Sequence, residues 1–121
     1  MPRILKTGPG WRVGWHSEQR PYCALVGAED WAIELTESEF ADFCRLLNQL
    51  AETMSQMAAE LMVAERIACE AESDRLWLEV EGFPDAYDLR LIVKGERGCE
   101  GNWAAAALPG LLQGLKMLSV F

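Results

Sequence analysis

The stretch TESEFADFCRLLNQLAETMSQMAAEL, residues 36–61, decides the fold. Its large apolar residues recur at alternating spacings of three and four, which indicates one apolar seam along a long helix. No glycine or proline lies between residues 28 and 81, so nothing in the sequence interrupts this helix. The seam consists of Phe40, Phe43, Leu47, Leu50, Met54, Met57 and Leu61.

The start of the helix is marked by a capping box. In Thr36-Glu37-Ser38-Glu39 the threonine hydroxyl is placed to accept from the backbone N–H of Glu39, whose carboxylate reaches back to the backbone of Thr36. Leu35 and Phe40 are spaced for a hydrophobic staple across the box. We therefore predict that the helix begins at Glu37, and we place its end near Ala64.

This helix is long for its domain. From Glu37 to Ala64 it would extend about 42 Å at 1.5 Å per residue, whereas a compact domain of this length is about 35 Å across. We expect the seam to pack across an antiparallel sheet and to contribute to a homodimer. A free-standing coiled coil is the alternative, but the positions beside the seam carry no pattern of opposite charges.

Alternating apolar residues predict strands on both sides of the helix. Before it, the pattern indicates three strands between residues 10 and 35, and after it a hairpin with its turn at Ser73 and Asp74, then two further strands ending at Trp103. A second, shorter helix is predicted from Ala105 to Leu118. The fold class is therefore α+β, with one antiparallel sheet and the order strands, helix, strands, helix.

We interpret the chain as a single domain, residues 1–121, with a pseudo-repeat. Its first half comprises strands in 10–35 and the helix 37–64, and its second half strands in 66–103 and the helix 105–118. No segment has the apolar length of a membrane span or a signal peptide, so we expect a cytoplasmic protein. The four cysteines form no Cys-x-x-Cys pair, and we predict reduced thiols, no metal and no cofactor.

The charge is unevenly distributed. The chain carries a net charge of −8, and residues 29–85 hold fifteen acids against three arginines, which disfavours contact with a phosphate backbone. Glu70, Glu72 and Asp74 alternate in a way that a cation site could use, but no EF-hand spacing with a central glycine is present, and the pattern favours a solvated acidic strand face. Exposed carboxylates are also expected beside Trp77, at Glu79 and Glu81.

Cations and aromatic residues occur together only near the N-terminus. Exposed aromatic rings stack on bases while cations hold phosphates, so this segment is the candidate for binding single-stranded nucleic acid. The alternative is that Trp11 and Trp15 face inward, because they share the parity of Val13. The candidate residues are Arg3, Lys6, Trp11, Arg12, Trp15, His16 and Arg20.

Several segments resemble an uncharacterised cyanobacterial group, domain-of-unknown-function family 1818. They are CRLLNQLAE at 44–52, CEAESDRLWLEVEG at 69–82, the following Phe83, Pro84, Ala86 and Tyr87, and the closing Val120 and Phe121. The resemblance implies a fold similar to single-stranded-DNA-binding transcriptional regulators such as the Whirly proteins, in which strands followed by a helix occur twice. Those proteins bind through a basic, aromatic sheet face, whereas this chain is acidic.

Three functional hypotheses follow. The first is a non-catalytic interaction or regulatory protein that acts through a protein partner, which the apolar helix and the acidic middle stretch favour. The second is a single-stranded nucleic-acid-binding protein. The third is a small enzyme, which would need a concave cluster around His16, the only histidine, or around the cysteines, since no phosphate-binding or metalloprotease motif is present.

Overall fold

The computed structural model describes residues 3–60 and 65–118. Four strands come first, β1 (Ile4–Gly8), β2 (Trp11–Trp15), β3 (Ala24–Gly27) and β4 (Ala32–Leu35), followed by helix α1 (Glu37–Glu60). Four more strands follow, β5 (Ile67–Glu72), β6 (Leu76–Phe83), β7 (Ala86–Val93) and β8 (Glu100–Trp103). The described chain ends with a 3₁₀ turn (Ala105–Ala107) and helix α2 (Leu108–Leu118).

The strands form two antiparallel sheets, each a meander of consecutive neighbours. We call β1-β2-β3-β4 the N-terminal sheet and β5-β6-β7-β8 the C-terminal sheet. The α+β class, the antiparallel pairing and the two helices are confirmed, but the prediction of a single sheet is wrong. Each meander has its own apolar face, and α1 lies between the two in the chain, so the faces close over a shared core instead of joining edge to edge.

The predicted order also lacked two elements. The 3₁₀ turn precedes α2, and β1 precedes the strands that alternation had indicated. Only five residues form β1, with no strong apolar alternation, and Pro9-Gly10 turns the chain back into β2. Pro9 and Gly10 are the second and third residues of the turn between β1 and β2. Gly10 has φ +81°, which suits the third residue of a type II turn.

The capping box is confirmed. Thr36 Oγ1 accepts a hydrogen bond from Glu39 N at 3.2 Å, and Glu39 Oε1 accepts one from Thr36 N at 2.9 Å. Helix α1 therefore begins where the sequence predicted. Its 24 described residues correspond to about 36 Å, while the predicted continuation through Leu61 to Ala64 lies outside the described residues.

Neither helix packs mainly on the sheet that precedes it in the chain. Helix α1 follows the N-terminal sheet but packs mainly on β5 and β6, whereas α2 follows the C-terminal sheet and packs mainly on β1 and β2. Residues of both sheets and both helices form one apolar cluster, with Trp103 fully buried in it. Among the described residues, no helix is long and apolar enough to cross a membrane.

Candidate functional site

The two tryptophans proposed to stack on nucleic-acid bases pack against the protein instead. Trp11 is half-buried, and its indole covers Gly110 and Gly114 of α2, where any Cβ would overlap the ring. Trp15 packs on Phe40 with 6.0 Å between ring centroids. Both side chains belong to the edge of the core. This agrees with the alternative in which Trp11 and Trp15 face inward with Val13.

Two of the candidate cations are engaged within the chain. Arg12 is half-buried, and its Nε and Nη2 donate hydrogen bonds of 2.9 Å to the carbonyls of Ala28 and Trp31. Arg20 donates to Ser17 O at 3.1 Å and forms an ion pair with Glu37 at 2.8 Å. Arg12 thus closes the loop before β4, while Arg20 links the β2–β3 connection to the start of α1.

The remaining candidates do not form one surface. Arg3, Trp15 and His16 line a cleft of about 260 Å³ on the N-terminal sheet, which is also lined by Gly14 and by its two strand partners, Leu5 and Leu25. Lys6 lies elsewhere, on the strand position opposite Val13, which is buried in the core. In the cleft, His16 Nδ1 lies 3.2 Å from Gln19 Oε1.

The predicted helix seam is buried within the chain itself. Five of its residues are only 0–3 % exposed, and they are Phe40, Phe43, Leu47, Leu50 and Met54. Met57 is half-buried, and Leu61 lies outside the described residues. The first four turns of the seam therefore contact the chain's own sheets and have no free surface for a partner.

An arginine and two tryptophans hold the two sheets together. Arg97 donates to Glu39 Oε1 at 2.8 Å and to the carbonyl of Glu34, while its guanidinium lies 4.7 Å from the ring centroid of Tyr22. Trp103 of β8 donates through Nε1 to Gly27 O at 2.8 Å and contacts Trp31 edge-on. These contacts fix the position of each sheet relative to the other.

The outer face of the C-terminal sheet carries a cluster of carboxylates that we did not predict as a binding site from the sequence. The strand register sets Glu70 of β5 directly opposite Glu79 of β6, and Glu81 of β6 directly opposite Asp88 of β7. We call these four residues the acidic face. The period-two alternation of β5 and β6 contained this signal, because it sets the acids on the side opposite Leu76, Leu78 and Val80.

Apolar side chains lie within the same surface. Trp77 and Ile92 are cross-strand partners on the outward side of β6 and β7, and both are half-buried. The Arg90 guanidinium lies 5.7 Å from the Trp77 ring centroid and forms an ion pair with Glu100 at 3.3 Å. The acidic face is therefore bordered by an amphipathic strip that can contact both apolar and charged groups.

Cations neutralise only part of the acidic face. Arg66 approaches Glu81 at 3.9 Å, a loose contact between two exposed side chains. Arg90 is opposite Glu79 in the ladder, but its ion pair is with Glu100. Within residues 3–60 and 65–118, no group of three or more potential ligands is placed to hold a metal ion.

A buried carboxylate positions the strands that carry the acidic face. Asp42 of α1 accepts a 2.7 Å hydrogen bond from Ser73 Oγ and one of 3.3 Å from Arg75, with Arg45 3.5 Å away. Burial opposes its ionisation, but the hydrogen bonds and the two arginine charges outweigh burial and lower the pKa of Asp42. Its charge thus anchors the β5–β6 turn to the helix.

The comparisons with known proteins give a family description and a structural relative. The family model DUF1818, described as a domain of unknown function, matches residues 6–118. A crystal structure of a protein of unknown function from the DUF155 family, from Prochlorococcus sp. NATL2A, is similar with a TM-score of 0.90 and 29 % identity. The similarity covers 96 % of this chain and 98 % of that one. No curated protein matches the chain.

Proposed function

Because the chain belongs to the DUF1818 family, whose description names no activity, we propose its function from the surface alone. We propose a non-catalytic interaction or regulatory protein whose acidic face binds a positively charged segment of a protein partner. The observation that supports this proposal is the direct opposition of Glu70 with Glu79 and of Glu81 with Asp88.

Like charges that lie directly opposite on paired strands destabilise a sheet by about 0.2–1 kcal/mol per pair. The acidic face contains two such pairs, and three of its four side chains are exposed. A cationic segment beside Glu70 and Glu79 would relieve the first repulsion, the second pair would add to the negative potential that attracts it, and Trp77 beside the pairs would supply apolar contact. Part of the binding free energy would thus come from removing an electrostatic repulsion that destabilises the free protein.

The second candidate, single-stranded nucleic acid, has less support. The indoles of Trp11 and Trp15 lie at the edge of the core, and the guanidinium groups of Arg12 and Arg20 hold loops. The net charge of −8 also repels a phosphate backbone. Arg3 and His16, which line the cleft on the N-terminal sheet, are the residues through which this function would have to operate.

The homodimer and the cytoplasmic location stay predictions. The seam of α1 is buried from Phe40 to Met54, so a second copy that binds the described part of the seam would contact it at Met57. Light scattering on the full chain would measure its mass. A dimer that dissociates when Met57 is changed to Glu would place the interface there, and a monomer would remove this part of the proposal.

The proposed function is tested with two fluorescent probes at low salt. One is a peptide in which lysine and valine alternate, and the other is an oligonucleotide of about twenty thymidines, longer than a typical single-strand site. We expect anisotropy to show salt-sensitive binding of the peptide and none of the oligonucleotide. Oligonucleotide binding that is lost on changing Arg3 and His16 would instead favour the second candidate.

Two double variants of the protein, which have the same net charge, test where the peptide binds. Glu70→Gln with Glu79→Gln removes two charges from the acidic face, whereas Glu52→Gln with Glu60→Gln removes two from exposed positions of α1. The first should weaken the peptide about tenfold, since two exposed ion pairs contribute about 0.7 kcal/mol each. Equal weakening by both variants would mean that only net charge matters, and the proposal would be wrong.

A further inference from the structure

The four outer edges of the two sheets are protected unequally. Two of them are contacted by side chains from the opposite half of the chain. Arg97 donates to the carbonyl of Glu34 in β4, and Trp31 Nε1 donates to the carbonyl of Asn102 in β8 at 3.2 Å. The Trp31 indole also covers Gly101, so a further strand cannot approach β8 there.

The third edge, β1, has different protection. Lys6 stands at its centre, Pro9 follows its last residue, and α2 packs beside it. A lysine within an edge strand and a proline at its end are devices by which proteins prevent an edge from pairing with another chain. Strand addition to β1 is therefore disfavoured.

The fourth edge, β5, has neither device. Its six residues, Ile67–Glu72, include no lysine, proline or glycine, and within the described part of the chain β5 pairs only with β6. Such an edge presents unpaired backbone N–H and C=O groups to any extended segment. Its length of six residues matches an ordinary strand.

The apolar layer is also incomplete at this edge. The inward residues of β5, Ile67, Cys69 and Ala71, are half-buried, whereas the inward residues of β6 are fully buried. On α1, which packs over β5, Met54 is fully buried and Met57 is partly exposed. One more strand beside β5 would extend the covered apolar layer by its inward side chains.

We propose, resting on the proposed function, that the partner's positively charged segment binds as an added strand along β5. Its alternate residues would be lysine or arginine, with one of them facing Glu70, and the intervening ones apolar, continuing the layer of Ile67 and Cys69. Glu72 is already paired with Lys94 at 2.6 Å, so Glu70 and its directly opposite partner Glu79 carry the charge that attracts the segment. A second copy of the chain is a poor occupant, because pairing β5 with β5 would set their glutamates against each other. Charge therefore selects a cationic strand over self-association.

The experiment compares four peptides on the full-length protein. The first alternates lysine and valine, the second has the same composition with all lysines before all valines, and the other two are the alternating peptide N-methylated at every second residue in one phase or the other. N-methylation removes backbone donors along one edge of a strand only. We expect the block peptide and one methylated phase to bind at least about tenfold more weakly.

Hydrogen exchange provides the structural readout. Amide protons of β5 that do not bond to β6 should exchange more slowly with the alternating peptide bound. The Glu70→Gln variant should bind this peptide about threefold more weakly, with correspondingly less protection at the same peptide concentration. If the alternating and block peptides bind equally, both methylated phases bind like the parent, and β5 gains no protection, strand addition is overturned while the proposed function stands. If no cationic peptide binds the wild type at low salt, the proposed function itself fails.

Discussion

Ser73 Oγ donates a 2.7 Å hydrogen bond to Asp42 Oδ2, which joins the β5–β6 turn to the first turns of α1. The same hydroxyl accepts from the backbone N–H groups of Arg75 and Leu76 at 3.1 Å. One side chain thus closes the turn and docks it on the helix. The strands that carry the acidic face are held in place by this contact.

Changing Asp42 to Asn should make stability less dependent on pH. The folded-state pKa of Asp42 lies below its ordinary value of 3.8, so the unfolded chain binds more protons at mildly acid pH. Its contribution is fully present above pH 3.8 and is lost as the pH falls through the lower folded-state value. We expect Asp42→Asn to lower the free energy of unfolding by about 1–2 kcal/mol at neutral pH, with the difference disappearing in acid.

Urea unfolding monitored by tryptophan fluorescence at a series of pH values measures this difference. Glu52→Gln is the control, because Glu52 is exposed on the same helix and should show no such convergence. A constant difference between wild type and Asp42→Asn from neutral to acid pH would contradict the assignment of an ionised Asp42.

The contact of Trp11 with α2 depends on the absence of side chains at Gly110 and Gly114. Alanine normally favours a helix over glycine by about 1 kcal/mol. At Gly114, however, the new methyl group would overlap the indole, and we expect Gly114→Ala to lower the free energy of unfolding by about 1–3 kcal/mol. Thermal unfolding followed by circular dichroism measures it.

Position 113 on the same helix provides the matched control. Gln113 is exposed, so Gln113→Ala should leave stability within about 0.5 kcal/mol. Combining Gly114→Ala with Trp11→Leu should cost less than the two single changes added together, because the methyl group then occupies space the ring has left. Simple additivity would show that the two residues do not interact.

Short sequence patterns predicted the elements that depend on contacts between residues close to each other in the chain. The Thr36–Glu39 capping box fixed the start of α1, and Ser73 marked the turn between β5 and β6, as the structure has them. These depend on contacts between residues three or four apart. Strand β1 was missed because five residues with weak alternation become a strand only when β2 pairs with them.

The division into two sheets and the site depend on distant contacts. Arg12 was considered a phosphate ligand, yet it donates to carbonyls of residues 28 and 31. No spacing rule connects an arginine with carbonyls sixteen and nineteen positions away. The carboxylates of the acidic face were visible as alternation, but which of them oppose each other depends on a register set by whole strands.

Arg12 is therefore expected to contribute to stability. Lysine cannot reproduce two hydrogen bonds that leave a planar guanidinium from Nε and Nη2. We expect Arg12→Lys to lower the free energy of unfolding by about 1–3 kcal/mol, measured by urea denaturation. Arg3→Lys is the control, because Arg3 is exposed at the start of the same sheet. Unchanged stability in Arg12→Lys, with weakened oligonucleotide binding, would return Arg12 to the nucleic-acid hypothesis.

Cys44 should resist alkylation while the protein is folded. Burial raises the pKa of its thiol to about 12 from an ordinary 9.0, and only the thiolate reacts. Iodoacetamide at about pH 8, followed by peptide mass spectrometry, should label Cys69 or Cys99 before Cys44 and should label Cys44 fully in urea. Labelling of Cys44 as fast as Cys99 in the folded protein would contradict this assignment.

The acidic face should lower the stability of the free protein. Asp88 lies directly opposite Glu81, so Asp88→Asn relieves a repulsion without changing the shape of the side chain. We expect it to raise the free energy of unfolding by about 0.2–1 kcal/mol at low salt, with a smaller gain at high salt because exposed charges are screened. Glu52→Gln removes one charge from α1 and separates this local effect from that of net charge. A loss of stability in Asp88→Asn would mean that Asp88 has a favourable role in the free protein, and it would weaken the argument that this pair adds to the negative potential that attracts a cationic partner.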